Sequence, residues 1–278
     1  MTLAELPAPP LADTPLGRTV ASTATDIWND SCAVDELEYA VSFGAVGATA
    51  NPTIVMDVWK KEPERWRDRV RQLAEERRDA SESDLAWAIV DEMSVRAAPL
   101  LLPAFEASGG AQGRLSTQTD PTKYRSADEM VAHGRHFSEL APNIIVKFPA
   151  TLAGLAAMEE ASALGVSVNT TVCFSVAQAV AAAEAIERGL KRREAAGEST
   201  ESMGPVVTIM MGRIEDSLRA DTEREGIIAD PTVLPWSGVA VFKRAYGIFQ
   251  ERRYRGRLLA AAMRHQFHWS ELIGGDVV

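Results

Sequence analysis

The sequence predicts an α/β fold, a single (β/α)8 barrel of the TIM type. Three observations point to it. Short apolar runs alternate with amphipathic helical runs along the whole 278-residue chain, as βα units around a parallel sheet require. Several of these runs are apolar at every position, like strands covered on both faces. No internal repeat and no low-complexity linker divides the chain, and about 250 residues is a usual size for one such barrel.

The first strand is expected at residues 25–30 (TDIWND), followed by a short helix over 34–44 that Gly44 stops. The second strand, 45–51 (AVGATAN), ends where Asn51 meets Pro52, because proline cannot continue the ladder. A long helical region follows. It includes 62–80, where Trp66, Val70 and Leu73 recur at helical spacing, and 83–105. The third strand is 113–120 (GRLSTQTD), and Ser126 with Glu129 forms a capping box opening a helix through Leu140. The fourth is 143–150 (NIIVKFPA), followed by a helix rich in Ala, Leu and Met. The fifth is 165–174 (GVSVNTTVCF), and Ser175 with Gln178 opens the next long helix. The sixth is 205–212 (PVVTIMMG), with a helix over 238–256. The seventh is 257–265 (RLLAAAMRH), then a short helix and an eighth strand at 274–278 (GGDVV). A barrel normally carries a helix after its last strand, and the sequence stops at Val278, so that helix is expected to be lacking or truncated. Residues 1–24 read as a Pro-rich lead-in, packed on the domain or loose, and 25–278 as the barrel domain.

Hydrophobic residues are 46% of the chain, enough for a core, yet no run reaches the roughly 20 apolar residues that span a bilayer. No basic stretch precedes an apolar block at the N-terminus, so no signal peptide is expected. A formal charge of −10 argues against nucleic acid or anionic lipid as partners, while a small phosphorylated ligand needs only a local basic spot. Two widely spaced cysteines, Cys32 and Cys173, suggest a reducing cytoplasm rather than a disulfide framework.

Lys147 is the sharpest chemical feature, because it interrupts the apolar run Ile144, Ile145, Val146, Lys147, Phe148. Burial disfavours an ammonium and leaves a neutral amine able to attack a carbonyl. The plainer reading is a lysine snorkelling from an edge strand. Asp30, Asn51, Gln118, Asn169 with Thr171, and Thr208 sit near the C-terminal ends of the other strands, where barrel active sites form. Singly each reads as a strand-end turn residue. Arg213 and Arg264 follow the sixth and seventh strands, where barrels often bind phosphate, or are two surface arginines among many. His133 with His136, and His265 with His268, are spaced to share a helix face, but neither pair has a third ligand, so no metal site is expected. No Walker or Rossmann glycine motif is present, and no cofactor is expected. The six tryptophans are scattered, as packing residues are.

Taken in order, GATANPT, GRLSTQTD, IVKFPAT, VNTTVCFSVAQA, MMGRIED and AAAMRH followed by ELIGGD resemble the successive motifs of the transaldolases and fructose 6-phosphate aldolases, from about Thr25 to the end. The resemblance implies a class I mechanism in which Lys147 forms a Schiff base with a ketose phosphate. It makes Asp30 the acid–base group, with Asp26 the alternative if the register differs. It implies that Asn51 and Asn169 hold the enamine-bound three-carbon unit, Thr171 positions a water, Thr208 lines the pocket, and Arg213 and Arg264 grip the phosphate. Partners would be sugar phosphates, and a homo-oligomer stays open.

The chain departs from the pattern at three places. Gln118 stands where transaldolases carry glutamate and is the residue that the aldolases carry. Met210 replaces an aromatic residue, and Ala262 a serine. These departures bear on transfer more than on the fold or the lysine. The expected function is transfer of a dihydroxyacetone unit to an aldose. One rival is an aldolase that releases the unit, and another is a barrel that binds a sugar phosphate without catalysis.

Overall fold

A computed structural model describes residues 14–230 and 232–278. Seven strands form one parallel sheet in chain order: β1 (Trp28–Asn29), β2 (Gly47–Thr49), β3 (Arg114–Gln118), β4 (Ile144–Pro149), β5 (Val168–Cys173), β6 (Val206–Met210) and β7 (Arg257–Ala261). Parallel neighbours need crossovers, and helices supply them. Helix α1 (Pro15–Ser22) precedes β1, and α2 (Val34–Ser42) joins β1 to β2. The long helical region after β2 divides into α3 (Pro52–Lys61), α4 (Pro63–Glu76) and α5 (Glu82–Ala107). Then come α6 (Ala127–Leu140), α7 (Leu152–Ala163), α8 (Val176–Ala195), α9 (Met211–Arg224), α10 (Trp236–Arg252) and α11 (Phe267–Ser270). Most of the expected lead-in, residues 1–13, lies outside the described residues.

The strands fall where expected but are shorter. The sixth ends at Met210 because α9, a helix not read from the sequence, begins at Met211. The seventh ends at Ala261 because Ala262 turns into the left-handed region at φ 59°. The expected strand at 274–278 is a single bridge rather than a strand: Val277 bridges to both Asp26 and Leu259. Gly274, at φ 102°, turns the chain into this position, so pairing begins only at Asp276. From there Asp26 N donates to Asp276 O (2.9 Å), Val278 N to Asp26 O (2.9 Å), and Val277 N to Leu258 O (3.1 Å). Residues 276–278 thus bond to chain beside both outer strands of the sheet.

Period-two alternation divides the core into two layers. Ile144, Val146, Phe148, Val207, Ile209, Leu258 and Ala260 pack outward against the helices. The intervening Ile145, Val206 and Leu259 pack with Val277 and Trp28 in a small separate cluster on the inner face. Gly47, in register with Trp28, leaves room for that indole: a Cβ there would stand 2.4 Å from the ring. This apolar layer floors the polar one above it.

Candidate active site

Two residues along β4 from Ile145, on the same face, stands Lys147. The residue is 7% exposed, and its Nζ donates to the Ala50 carbonyl at 3.0 Å. Burial pushes the ammonium down to about 8, against the opposing pull of Asp30 and Cys32. Cys32 is itself pushed up to about 11 by burial, so it stays a thiol. The snorkelling alternative is excluded by this geometry, since the amine lies inside the sheet rather than in water.

Register brings the polar strand ends to the lysine. Gln118 pairs with Lys147 across β3 and β4, and Lys147 pairs with Asn169 across β4 and β5. Asn169 is fully buried: its Nδ2 donates to Ser116 Oγ (2.9 Å), and its Oδ1 accepts from Thr208 Oγ1 (2.7 Å). Both ends of that amide are therefore fixed, and its orientation with them. Thr171 lies one pleat further along β5, with its hydroxyl 3.8 Å from Met210 Sδ. The Gln118 amide has no hydrogen-bond partner among the described residues.

Asp30 lies at the mouth, just past β1, and its Oδ1 accepts a hydrogen bond from the Thr49 hydroxyl. Asp26 has a different setting. Arg257 donates to its Oδ2 at 2.6 Å and Gln112 to its Oδ1 at 2.6 Å, next to the start of β3 and at the opposite end of the sheet. Of the two carboxylates, Asp30 is thus the one whose charge reaches Lys147. Asn51 caps α3, its Oδ1 accepting from Thr53 N (2.9 Å) and Ile54 N (3.0 Å), which leaves its amide hydrogens available.

The two arginines converge on one carboxylate. Arg264 donates to Asp216 through Nε (3.2 Å) and through a terminal nitrogen (2.6 Å), while Arg213 stands 3.7 Å from the same Asp216. A cavity of about 480 Å³ connects Arg264 to Asp30 and Thr49, walled by Trp28, Met263 and Trp269. Behind Arg264, the Glu215 carboxylate is 4% exposed and holds Arg219 (2.7 Å) and His265 (3.0 Å). Burial pushes its carboxyl up, but those hydrogen bonds outweigh burial and hold it below the ordinary glutamate range. The buried His268 accepts from the Arg264 backbone N–H through Nδ1 (3.2 Å), so its Nε2 carries the proton given to Pro235 O (2.8 Å). His133 accepts from Asp120 N (3.0 Å) and His136 pairs with Asp91 (2.8 Å). Each histidine pair therefore has local partners. Among the described residues no group of three His, Cys, Asp or Glu could hold a metal ion.

Strand alternation had pointed to the residues around Lys147, but not to Thr49, Ser116, Glu215 or Asp216. The first two are ordinary strand residues whose partners lie on other strands. The last two sit on the unread helix α9, where an i, i+3 spacing of Arg213 and Asp216 was the available signal. Trp28 and Trp269 wall the cavity, although their scatter along the sequence suggested packing alone.

Comparison with known proteins agrees with this geometry. Residues 27–278 match the family model described as "Transaldolase/Fructose-6-phosphate aldolase". The chain is 30% identical over 262 residues to a transaldolase of Thiobacillus denitrificans, covering 90% of this chain and 72% of that protein. It is 28% identical over 241 residues to a transaldolase of Mycobacterium ulcerans (84% and 64%) and 33% identical over 173 residues to one of Thermobifida fusca (61% and 46%). The match thus spans roughly two thirds or less of the length of several of these relatives. A buried strand lysine ringed by polar strand ends, in a chain whose motifs match over nearly their whole length, places the protein in the transaldolase/fructose-6-phosphate aldolase family.

Proposed function

We propose that this chain transfers a dihydroxyacetone unit from a ketose phosphate to an aldose acceptor through a Schiff base on Lys147. The observation that carries the reading is the buried Lys147 amine, lowered to about 8 and set among Asp30, Gln118, Asn169 and Thr171. A neutral amine adds to the C2 carbonyl, and loss of water leaves an iminium. Asp30, oriented by Thr49, takes the C4 hydroxyl proton as the C3–C4 bond breaks. The bond's electron pair passes to C3, giving an enamine, and the aldose leaves. Asn51 and Asn169 hold the hydroxyls of the three-carbon unit, and Thr208 keeps Asn169 turned toward it. The enamine carbon then attacks the acceptor aldehyde, whose oxygen takes the proton back from Asp30. Hydrolysis, with water placed by Thr171, frees Lys147. Arg213 and Arg264 grip the phosphate at the far end of the cavity shared with Asp30.

The reading takes the sheet as an eight-stranded closed barrel with residues 276–278 in the eighth position, supported by their bonds to both neighbours. It places the enzyme in a reducing cytoplasm, supported by two free, buried cysteines. No helix of the described residues is long and apolar enough to cross a membrane.

One observation favours a second reading. Gln118 is in register with Lys147 and cannot accept a proton, so simple aldol cleavage with release of dihydroxyacetone is the alternative. Borohydride trapping with fructose 6-phosphate, with and without an aldose-phosphate acceptor, separates the two. A reduced adduct on Lys147 that acceptor discharges supports transfer. An adduct with turnover and dihydroxyacetone release without acceptor supports the aldolase. No adduct on folded protein would end both readings and leave ligand binding alone.

A further inference from the structure

Val172 stands at φ 53°, in the left-handed region that a β-branched residue avoids. It is the inserted residue of a bulge. Thr170 pairs with Val207 and Cys173 with Ile209, so Thr171 and Val172 together face Thr208 alone. The insertion sets the direction of every neighbouring side chain. Asn169 and Thr171 face the inner layer, while Thr170 contacts Met158 on the helical side (3.5 Å). Cys173 then returns to the outer core at 0% exposure. Without the inserted residue Cys173 would follow Thr171 onto the inner face.

The Val172 side chain is 42% exposed, so packing does not force its backbone. Gln178 does. Its Nε2 donates to Val172 O and to Ala150 O (both 3.2 Å), and its Oε1 accepts from Phe174 N (3.0 Å). Ala150 N in turn donates to Thr171 O (2.8 Å). One amide thus ties both sides of the bulge to the end of the lysine strand. Strain of this kind persists where the surroundings over-determine it, and it gathers at functional sites.

We propose that Gln178 is a positioning residue: it holds the strained bulge at Val172, and the bulge aims the Thr171 hydroxyl at the Lys147 centre. The proposal rests on the Schiff-base reading of Lys147. If Gln178 were only the cap of α8, its loss would lower stability and leave the chemistry alone.

The test is a double-mutant cycle of Gln178→Leu and Val172→Gly, read by turnover of fructose 6-phosphate and by the rate of borohydride-trapped adduct on Lys147. Glycine adopts φ > 0 without strain, so it needs no tie. Gln178→Leu is expected to lower kcat about 10- to 100-fold, with KM changed less than about threefold. Val172→Gly should keep close to wild-type turnover, and the double variant should recover most of the kcat lost in Gln178→Leu. If Gln178→Leu fails to fold, Gln178→Glu replaces it in the cycle, since it keeps the acceptor for Phe174 N and removes the two donated bonds. A double variant as slow as the single one, or a single variant that loses only thermal stability, overturns the proposal while wild type still forms its adduct. Wild type without an adduct overturns the Schiff-base reading itself.

Discussion

Lys147 destabilises the fold that carries it. Its ammonium, lowered from 10.5 to about 8 by burial, represents about 3 kcal/mol of cost at neutral pH. Below pH 8 the folded and unfolded lysine are both charged, and the cost is fully present. Between 8 and 10.5 the unfolded chain binds the extra proton, so stability rises with pH. Lys147→Met removes the cost but leaves the Ala50 carbonyl without its donor, a loss of about 1 kcal/mol. The variant should therefore unfold about 2 kcal/mol less readily than wild type at pH 7. Denaturant titration should show that advantage vanish and reverse above pH 10.5, and an inactive variant no more stable at pH 7 would contradict the buried charge. In wild type the rate of adduct formation should rise with pH and level off near 8. The same burial made the residue legible, since a lone charge in a run of Ile, Val and Phe has few structural excuses. Asp30 was harder to read. Only the folded partners of Asp26, Arg257 and Gln112, separate it from its neighbour four residues earlier.

At the scale of elements, the strands were legible because alternation is local, and their ends were not, because capping and turning are decided by contacts. Met211 reads as strand but begins α9. Ser126 caps α6 through Glu129 N (3.3 Å), while Gln178 spends its oxygen on Phe174 rather than on the cap residue's own N–H. A reciprocal box that the reading passed over, Ser81 with Asp84, opens α5. The joint between α9 and the turn after β7 is wholly tertiary. Gly212 N bonds Ala262 O (3.0 Å), Asp216 holds Arg264, and Glu215 holds His265. Because hydrogen bonds keep the buried Glu215 carboxyl below its ordinary range, its contribution is present above that range and is lost as pH falls through the folded value. Glu215→Gln is expected to cost about 2 kcal/mol near pH 7. The difference should shrink in acid, as thermal unfolding at two pH values would show. The same variant should weaken protection by inorganic phosphate, because the Arg264 turn loses its anchor. Unchanged phosphate protection would separate Glu215 from anion binding.

At the scale of the molecule, the two ends of the sheet meet through residues far apart in sequence, and no local pattern could reveal that meeting. Arg257 makes the connection. Its guanidinium donates to Asp26 Oδ2 (2.6 Å), to Asp276 O (2.9 Å) and to Ala111 O (3.2 Å), joining β7, the chain before β1 and the residues beside β3. Asp26 has an 8% exposed side chain, so removing its partner leaves a buried carboxylate uncompensated. Arg257→Ala should lower unfolding stability by about 3 kcal/mol. Arg213→Ala is the comparison, since Arg213 is 59% exposed and stands 3.7 Å from its carboxylate; it should change stability by less than about 0.5 kcal/mol. Hydrogen exchange locates the effect. The Val277 and Val278 amides bond to Leu258 O and Asp26 O, across the two sides of the join. If closure at 276–278 depends on Arg257, both amides should exchange about 100-fold faster in Arg257→Ala, while the amides of β4 change only with global stability. Equal acceleration at β4 and at the join would mean that the closure and the lysine strand open as one unit. Protection retained at Val277 and Val278 would mean that the backbone ladder closes the sheet without the arginine.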